Sequence, residues 1–115
     1  MHEYSIVSAL IDQVRQEADR QGARQVHRLR VRIGELAGVD VGLLRTAYET
    51  FRERTLCDHA ELDLESVPAR WSCPRCERPF PAGARLRCTR CERPARLVEG
   101  DEIILASIEM EVGDV

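Results

Sequence analysis

The sequence predicts an α+β fold: a small mixed three-stranded sheet with two helices, interrupted by an inserted cysteine-rich module. Three observations lead there. Two stretches carry apolar residues at helical spacing. Three others alternate apolar and polar residues. Residues 70–98 abandon both patterns for arginines, prolines and four cysteines. The division that follows assigns residues 1–69 and 99–115 to an α/β domain and residues 70–98 to the module.

The first helix is expected over residues 5–21, where Val7, Leu10, Ile11, Val14 and Ala18 recur on one face and Asp12, Arg15, Gln16 and Asp19 lie between them. Gly22 supplies its stop. In residues 26–33, Leu29, Val31 and Ile33 alternate with Arg28, Arg30 and Arg32, the pattern of a half-buried strand with one solvated face. By the same parity His27 shares the face of Leu29 and Val31, which makes it a core or sheet-edge histidine. Gly34 and Gly38 bracket a turn, and Asp40 can cap a second helix with an apolar stripe of Leu44, Ala47, Tyr48 and Phe51. A second strand runs over residues 61–67 through Leu62 and Leu64 and stops at Pro68. The last strand is expected over residues 102–112. Ile104, Ala106, Ile108 and Met110 then share one face and Ile103 and Leu105 the other, as in a central or well-covered strand. No internal repeat is read beyond the two cysteine pairs.

Hydrophobic residues make up 43% of the 115-residue chain and aromatics 4%, so a soluble domain with an aliphatic core is expected. No stretch approaches the ~20 apolar residues of a membrane span. The opening Met1-His2-Glu3-Tyr4 lacks the basic and apolar regions of an export signal, so the expected compartment is the cytoplasm. Arginine supplies all 17 basic side chains, and they are unevenly placed. Residues 70–96 hold 8 arginines against Glu77 and Glu92, whereas residues 97–115 hold 6 acids and no arginine. A basic module raises the possibility of nucleic-acid binding. Only Trp71 and Phe80 could stack on bases there, and the acidic remainder repels phosphate, so neither nucleic acid nor membrane is an expected partner.

Within the module, Cys73-Pro-Arg-Cys76 is followed after eleven residues by Cys88-Thr-Arg-Cys91. A Cys-x-x-Cys turn lets two thiolates reach one metal while turn amides bond the sulfurs. Two such turns complete the tetrahedron that zinc accepts, so a zinc-ribbon-like site on Cys73, Cys76, Cys88 and Cys91 is expected. Gly83 allows a bend between the pairs. The alternatives are disulfides or a redox dithiol, which a reducing compartment disfavours. Four thiolates leave no open position on the metal, so the site reads as structural.

His2 offers a different chemistry. An imidazole beside the terminal amine, with the backbone amides of His2 and Glu3 close by, can present nitrogens in a plane, the arrangement that Ni(II) or Cu(II) favours. By itself this is a weak signal, since a solvated Met-His start is common. Combined with Leu29-Arg-Val-Arg-Ile-Gly-Glu-Leu-Ala-Gly-Val39, the two cysteine pairs, and Gly100-Asp-Glu-Ile-Ile-Leu-Ala-Ser-Ile-Glu109, it gains weight. Over nearly its whole length the chain resembles the HypA/HybF family of hydrogenase nickel-incorporation proteins.

The resemblance implies a nickel metallochaperone for [NiFe]-hydrogenase maturation, with urease served by some relatives. It implies an α/β nickel-binding domain and a separate zinc domain. Carried over, His2 is the principal nickel ligand through ring and backbone nitrogens, followed by the Glu3 amide, with the Met1 amine contributing. The Glu3 carboxylate would tune or cover the site or contact a partner. The implied partners are a HypB-type nickel-binding GTPase and the hydrogenase large subunit, with the protein itself a monomer or weak homodimer. Zinc, on the four cysteines, would be structural, and nickel would be cargo. Nickel binding should weaken with falling pH, because an imidazole ligand must be neutral.

The remaining candidates carry less. Cys57, with Asp58 and His59 beside it, could suggest a reactive thiol or an accessory metal site, but it reads more simply as part of a variable loop before the second strand. Glu35 falls in a strand-to-helix turn and could contact a partner, and Arg28, Arg30 and Arg32 read as a solvated strand face. No Ser/His/Asp set, phosphate loop or placed carboxylate pair is present, so no enzymatic activity is expected.

Overall fold

The computed structural model describes residues 2–113. The order is α1 (His2–Gln21), β1 (Ala23–Gly34), α2 (Val41–Phe51), β2 (Glu61–Val67), β3 (Arg70–Ser72), β4 (Arg96–Glu99) and β5 (Ile103–Val112). A mixed three-stranded sheet has the order β2-β1-β5, with β1 parallel to β2 and antiparallel to β5. The β1–α2–β2 run is a parallel crossover, which requires a connection long enough to contain a helix. The α+β expectation therefore holds: two helices, a mixed three-stranded sheet and an inserted module, whose own sheet is the antiparallel pair β3-β4.

The core lies between the helices and one face of the sheet. Val7, Leu10 and Val14 of α1 meet Val26, Leu29, Val31 and Ile33 of β1 and Leu44, Ala47 and Tyr48 of α2. Full burial of an aliphatic side chain such as Leu29 stabilises the fold by about 1.5–3 kcal/mol. The Tyr48 hydroxyl is buried without loss because it donates to the Ala60 carbonyl at 2.8 Å. On the opposite face, Arg28 pairs with Glu61 and Asp63, each at 2.7 Å, and with Glu109 at 3.5 Å. This is an ion-pair ladder across all three strands, more ordered than a simply solvated face.

Helix α1 begins at His2 and not at residue 5. Contacts distant in sequence extend it: Tyr4 packs edge-on against Phe51 at 5.2 Å, and the Glu3 carboxylate accepts the Asp40 amide at 3.1 Å. Phe51, expected in the core stripe, is 45% exposed and forms the outer wall of that pair. The predicted central position of the last strand is also corrected, because β5 is a sheet edge and β1 the central strand. Its two apolar faces reduce to one. Arg30 stands opposite Ser107 and Val31 opposite Leu105, so Ala106 bulges and reverses the parity. Ile103, Leu105, Ile108 and Met110 consequently all pack on the core, and Ile104 is left exposed. A matching irregularity at His27 places Val26 in the core and turns His27 outward, 3.4 Å from the Glu111 carboxylate.

The module joins the sheet at a seam between glycines. Gly34 donates to the Glu102 carbonyl at 2.8 Å, Glu35 to Val67 at 2.8 Å and Leu36 to Gly100 at 2.7 Å. A Cβ on Gly100 (φ +110°) would lie 2.5 Å from the Ala69 Cα, and one on Gly34 would lie 2.3 Å from the Gly100 carbonyl carbon. Glu35, read as a turn residue, closes the seam by accepting the Ala69 amide at 2.8 Å. The radius of gyration is 18.2 Å, against about 13 Å for a compact chain of this length, because the module extends from the end of the sheet.

Candidate metal centres

Strand β3 delivers the chain to Cys73, and β4 receives it after Cys91. The two turns are built alike. Cys73 donates to the Arg78 carbonyl at 3.0 Å and its own carbonyl accepts Glu77 at 2.9 Å; Cys88 and Arg93, then Glu92 and Cys88, repeat both bonds at 2.9 Å. Glu77 and Glu92 both adopt left-handed backbone, with φ of +61° and +53°. The likeness is written in the sequence as Cys-x-Arg-Cys-Glu-Arg-Pro, at Cys73–Pro79 and again at Cys88–Pro94, so the repeat extends beyond the cysteine pairs.

All four sulfurs lie within 4.8 Å of one another. A tetrahedron with ~2.3 Å metal–sulfur bonds has edges of about 3.8 Å, and the Cys76 and Cys88 sulfurs are 3.8 Å apart. The amides of Cys76 and then Arg75 pull the Cys73 thiol down to about 6. Those of Cys91 and Arg90 likewise lower Cys88. Burial, reinforced by the other sulfurs, pushes Cys91 up to about 12. Four sulfurs this close cannot all ionise without a cation among them. The donor set therefore fits a tetrahedral thiolate metal such as zinc. The Arg78 guanidinium, 3.6 Å from the Cys88 sulfur and 3.2 Å from the Thr89 hydroxyl, adds positive charge beside the thiolates.

At the start of α1, the His2 side chain is 60% exposed. Its Nε2 lies 2.8 Å from the Gly38 carbonyl and 3.4 Å from Glu3 Oε2. The Glu3 side chain is only 7% exposed. The amides of Asp40 and of Glu3 itself hold its carboxyl below the usual carboxylate range. Its carboxylate thus ties α1 to the turn before α2. Asp40 serves twice, since its own carboxylate caps α2 through the Leu43 amide at 3.0 Å. The sequence showed that cap but gave no sign of the link to Glu3. Met1, the remaining residue of the predicted nickel set, lies outside the described residues.

Among the described residues, the four cysteines are the one group of His, Cys, Asp or Glu side chains that converges within reach of a metal. Cys57 is fully buried in the main core, where burial pushes its thiol up to about 11, and His59 is exposed. No helix among them is long and apolar enough to cross a membrane.

The family model for hydrogenase/urease nickel incorporation, metallochaperone, HypA, matches residues 1–110. The chain belongs to the HypA family. A hydrogenase maturation factor HypA from Shewanella oneidensis is 38% identical over 113 residues, covering 96% of each chain. One from Wolinella succinogenes is 38% identical over 117 residues, covering 99% of this chain and 98% of its own. The solution structure of the Ni metallochaperone HypA from Helicobacter pylori matches with a TM-score of 0.76 and 35% identity, over 98% of this chain and all of the other. A second HypA solution structure matches with a TM-score of 0.81 and 34% identity, over 98% of both chains. As a HypA protein, this chain is a nickel-incorporation metallochaperone and not an enzyme.

Proposed function

We propose that this HypA protein takes up Ni(II) at its amino terminus and delivers it during maturation of [NiFe]-hydrogenase, while Cys73, Cys76, Cys88 and Cys91 hold a structural zinc ion. The ligands are the His2 ring and amide nitrogens and the Glu3 amide, with the Met1 amine completing the set. Residues 1–69 and 99–115 form the nickel-binding domain and residues 70–98 the zinc domain. The protein works in the cytoplasm, receiving or sharing nickel with a HypB-type GTPase and passing it to the hydrogenase large subunit.

One observation carries the nickel assignment: His2 opens α1 with an exposed ring. The first amides of a helix have no acceptor within it. Metal can therefore displace their protons without breaking a helical hydrogen bond. An exposed site on a chain end also lets a recipient's ligands approach while the donor still holds the ion. The zinc assignment rests on the closed sulfur cluster, which leaves no position for substrate and so supports architecture over transfer.

Replacement His2→Ala is expected to abolish specific Ni(II) binding and to leave zinc content and the circular dichroism spectrum unchanged. Isothermal titration of the zinc-loaded protein checks this, and unaltered nickel affinity in the variant would sink the assignment.

A further inference from the structure

Resting on the reading of His2 as a nickel ligand, we propose that Gly38 is a positioning residue for nickel: its backbone carbonyl fixes the tautomer of the His2 ring so that Nδ1 is the nitrogen left to bind the metal. A carbonyl can only accept a hydrogen bond, so the 2.8 Å contact with His2 Nε2 requires a proton on that nitrogen. The second polar atom beside Nε2, Glu3 Oε2 at 3.4 Å, is also an acceptor. With the proton on Nε2, the lone pair of the neutral ring is on Nδ1. Nδ1 is the ring nitrogen nearer the backbone, and it alone closes an unstrained chelate with the amide nitrogen of the same residue. The tautomer favoured by the turn is thus the one that lets ring and amide grip one ion. Partners of this kind, on the far nitrogen of a histidine, orient the ligand and raise its basicity.

The turn is built to present that carbonyl. Gly38 has φ +73°, a region that suits glycine, and no heavy atom lies within 4 Å of where a Cβ would stand. Glycine is therefore required by backbone conformation and not by crowding. Two residues on, the Asp40 amide binds the buried Glu3 carboxylate at 3.1 Å, which holds the turn in register with the first turn of α1.

The test uses zinc-loaded protein with ¹⁵N-labelled histidine. In the nickel-free wild type, long-range ¹H–¹⁵N correlation should show His2 as the Nε2-protonated form, with its signals identified by their loss in His2→Ala. Gly38→Ala should mix the tautomers and weaken Ni(II) affinity about tenfold. Gly38→Asn, which tolerates the left-handed backbone, should restore both. A wild-type ring protonated on Nδ1 would overturn the proposal. So would a Gly38→Ala variant unchanged in tautomer or in affinity while His2→Ala loses nickel. If His2→Ala itself keeps its nickel affinity, the terminal site is wrong and this inference falls with it.

Discussion

At the scale of single residues, the most informative side chains are those whose surroundings contradict their appearance. Glu3 looks in the sequence like an exposed acid near the start of the chain, but its side chain is only 7% exposed and accepts the Asp40 amide. Its carboxylate is thus committed to holding α1, whereas the neighbouring His2 side chain is 60% exposed. Cys57 looks like a reactive thiol, but it is fully buried, and the Tyr48 hydroxyl lies 3.5 Å from its carbonyl. Burial raises its thiol from the ordinary 9.0 to about 11, so the folded state keeps a proton that the unfolded chain releases. The stability tied to the neutral thiol is whole below pH 9.0 and is lost as pH rises toward about 11. Urea unfolding between those limits should show a steeper loss of stability in the wild type than in Cys57→Ala. Tyr48, whose hydroxyl is also raised by burial, adds a loss of the same sign in both proteins. Equal slopes would mean that the thiol is not desolvated.

Among the elements, the decisive feature is the seam where β1 and β5 meet the approach to the module. Four hydrogen bonds of 2.7 to 2.8 Å join Gly34, Glu35 and Leu36 to residues 67–69 and 100–102. They form only because two glycines let backbones touch. Gly100→Ala meets both a backbone clash and an unfavourable φ, so a loss of about 1–3 kcal/mol is expected. Denaturant unfolding measures it, and amide shifts should concentrate at residues 34–36, 67–70 and 99–102. A variant as stable as the wild type would show that the seam can open without consequence. The neighbouring bulge at Ala106 has a comparable status, since it alone brings Ile108 and Met110 onto the face of Leu105.

Across the whole molecule, the two ends are held by different forces. The main core cluster draws none of its buried members from residues 70–98, where the buried side chains are Ser72, Cys73 and Cys88. Too little apolar surface is buried there to offset the loss of chain entropy, so on the proposed zinc assignment metal binding supplies the difference. Chelation of zinc, or Cys88→Ser, should erase hydrogen-exchange protection at Cys73, Glu77, Cys88 and Glu92 while Leu29, Val31 and Ile33 stay protected. Simultaneous loss at both ends would refute this division of stability.

The sequence by itself determined the two helices, the three main strands and the four thiolates, because each is set by a local period or spacing. It also carried the family, through motifs spread over almost the full length. The Cys-x-Arg-Cys-Glu-Arg-Pro repeat was equally visible, and its shared turn geometry follows from seven residues on each side. Only the tertiary structure decided where parity breaks, at His27 and Ala106, since a bulge depends on the register of two strands and not on the composition of one. It alone brought Glu3 to Asp40 and His2 to Gly38, across separations of 37 and 36 residues. Local pattern fixes which residues can bind metal. Contacts between distant segments fix where those groups stand and which polar atoms surround them.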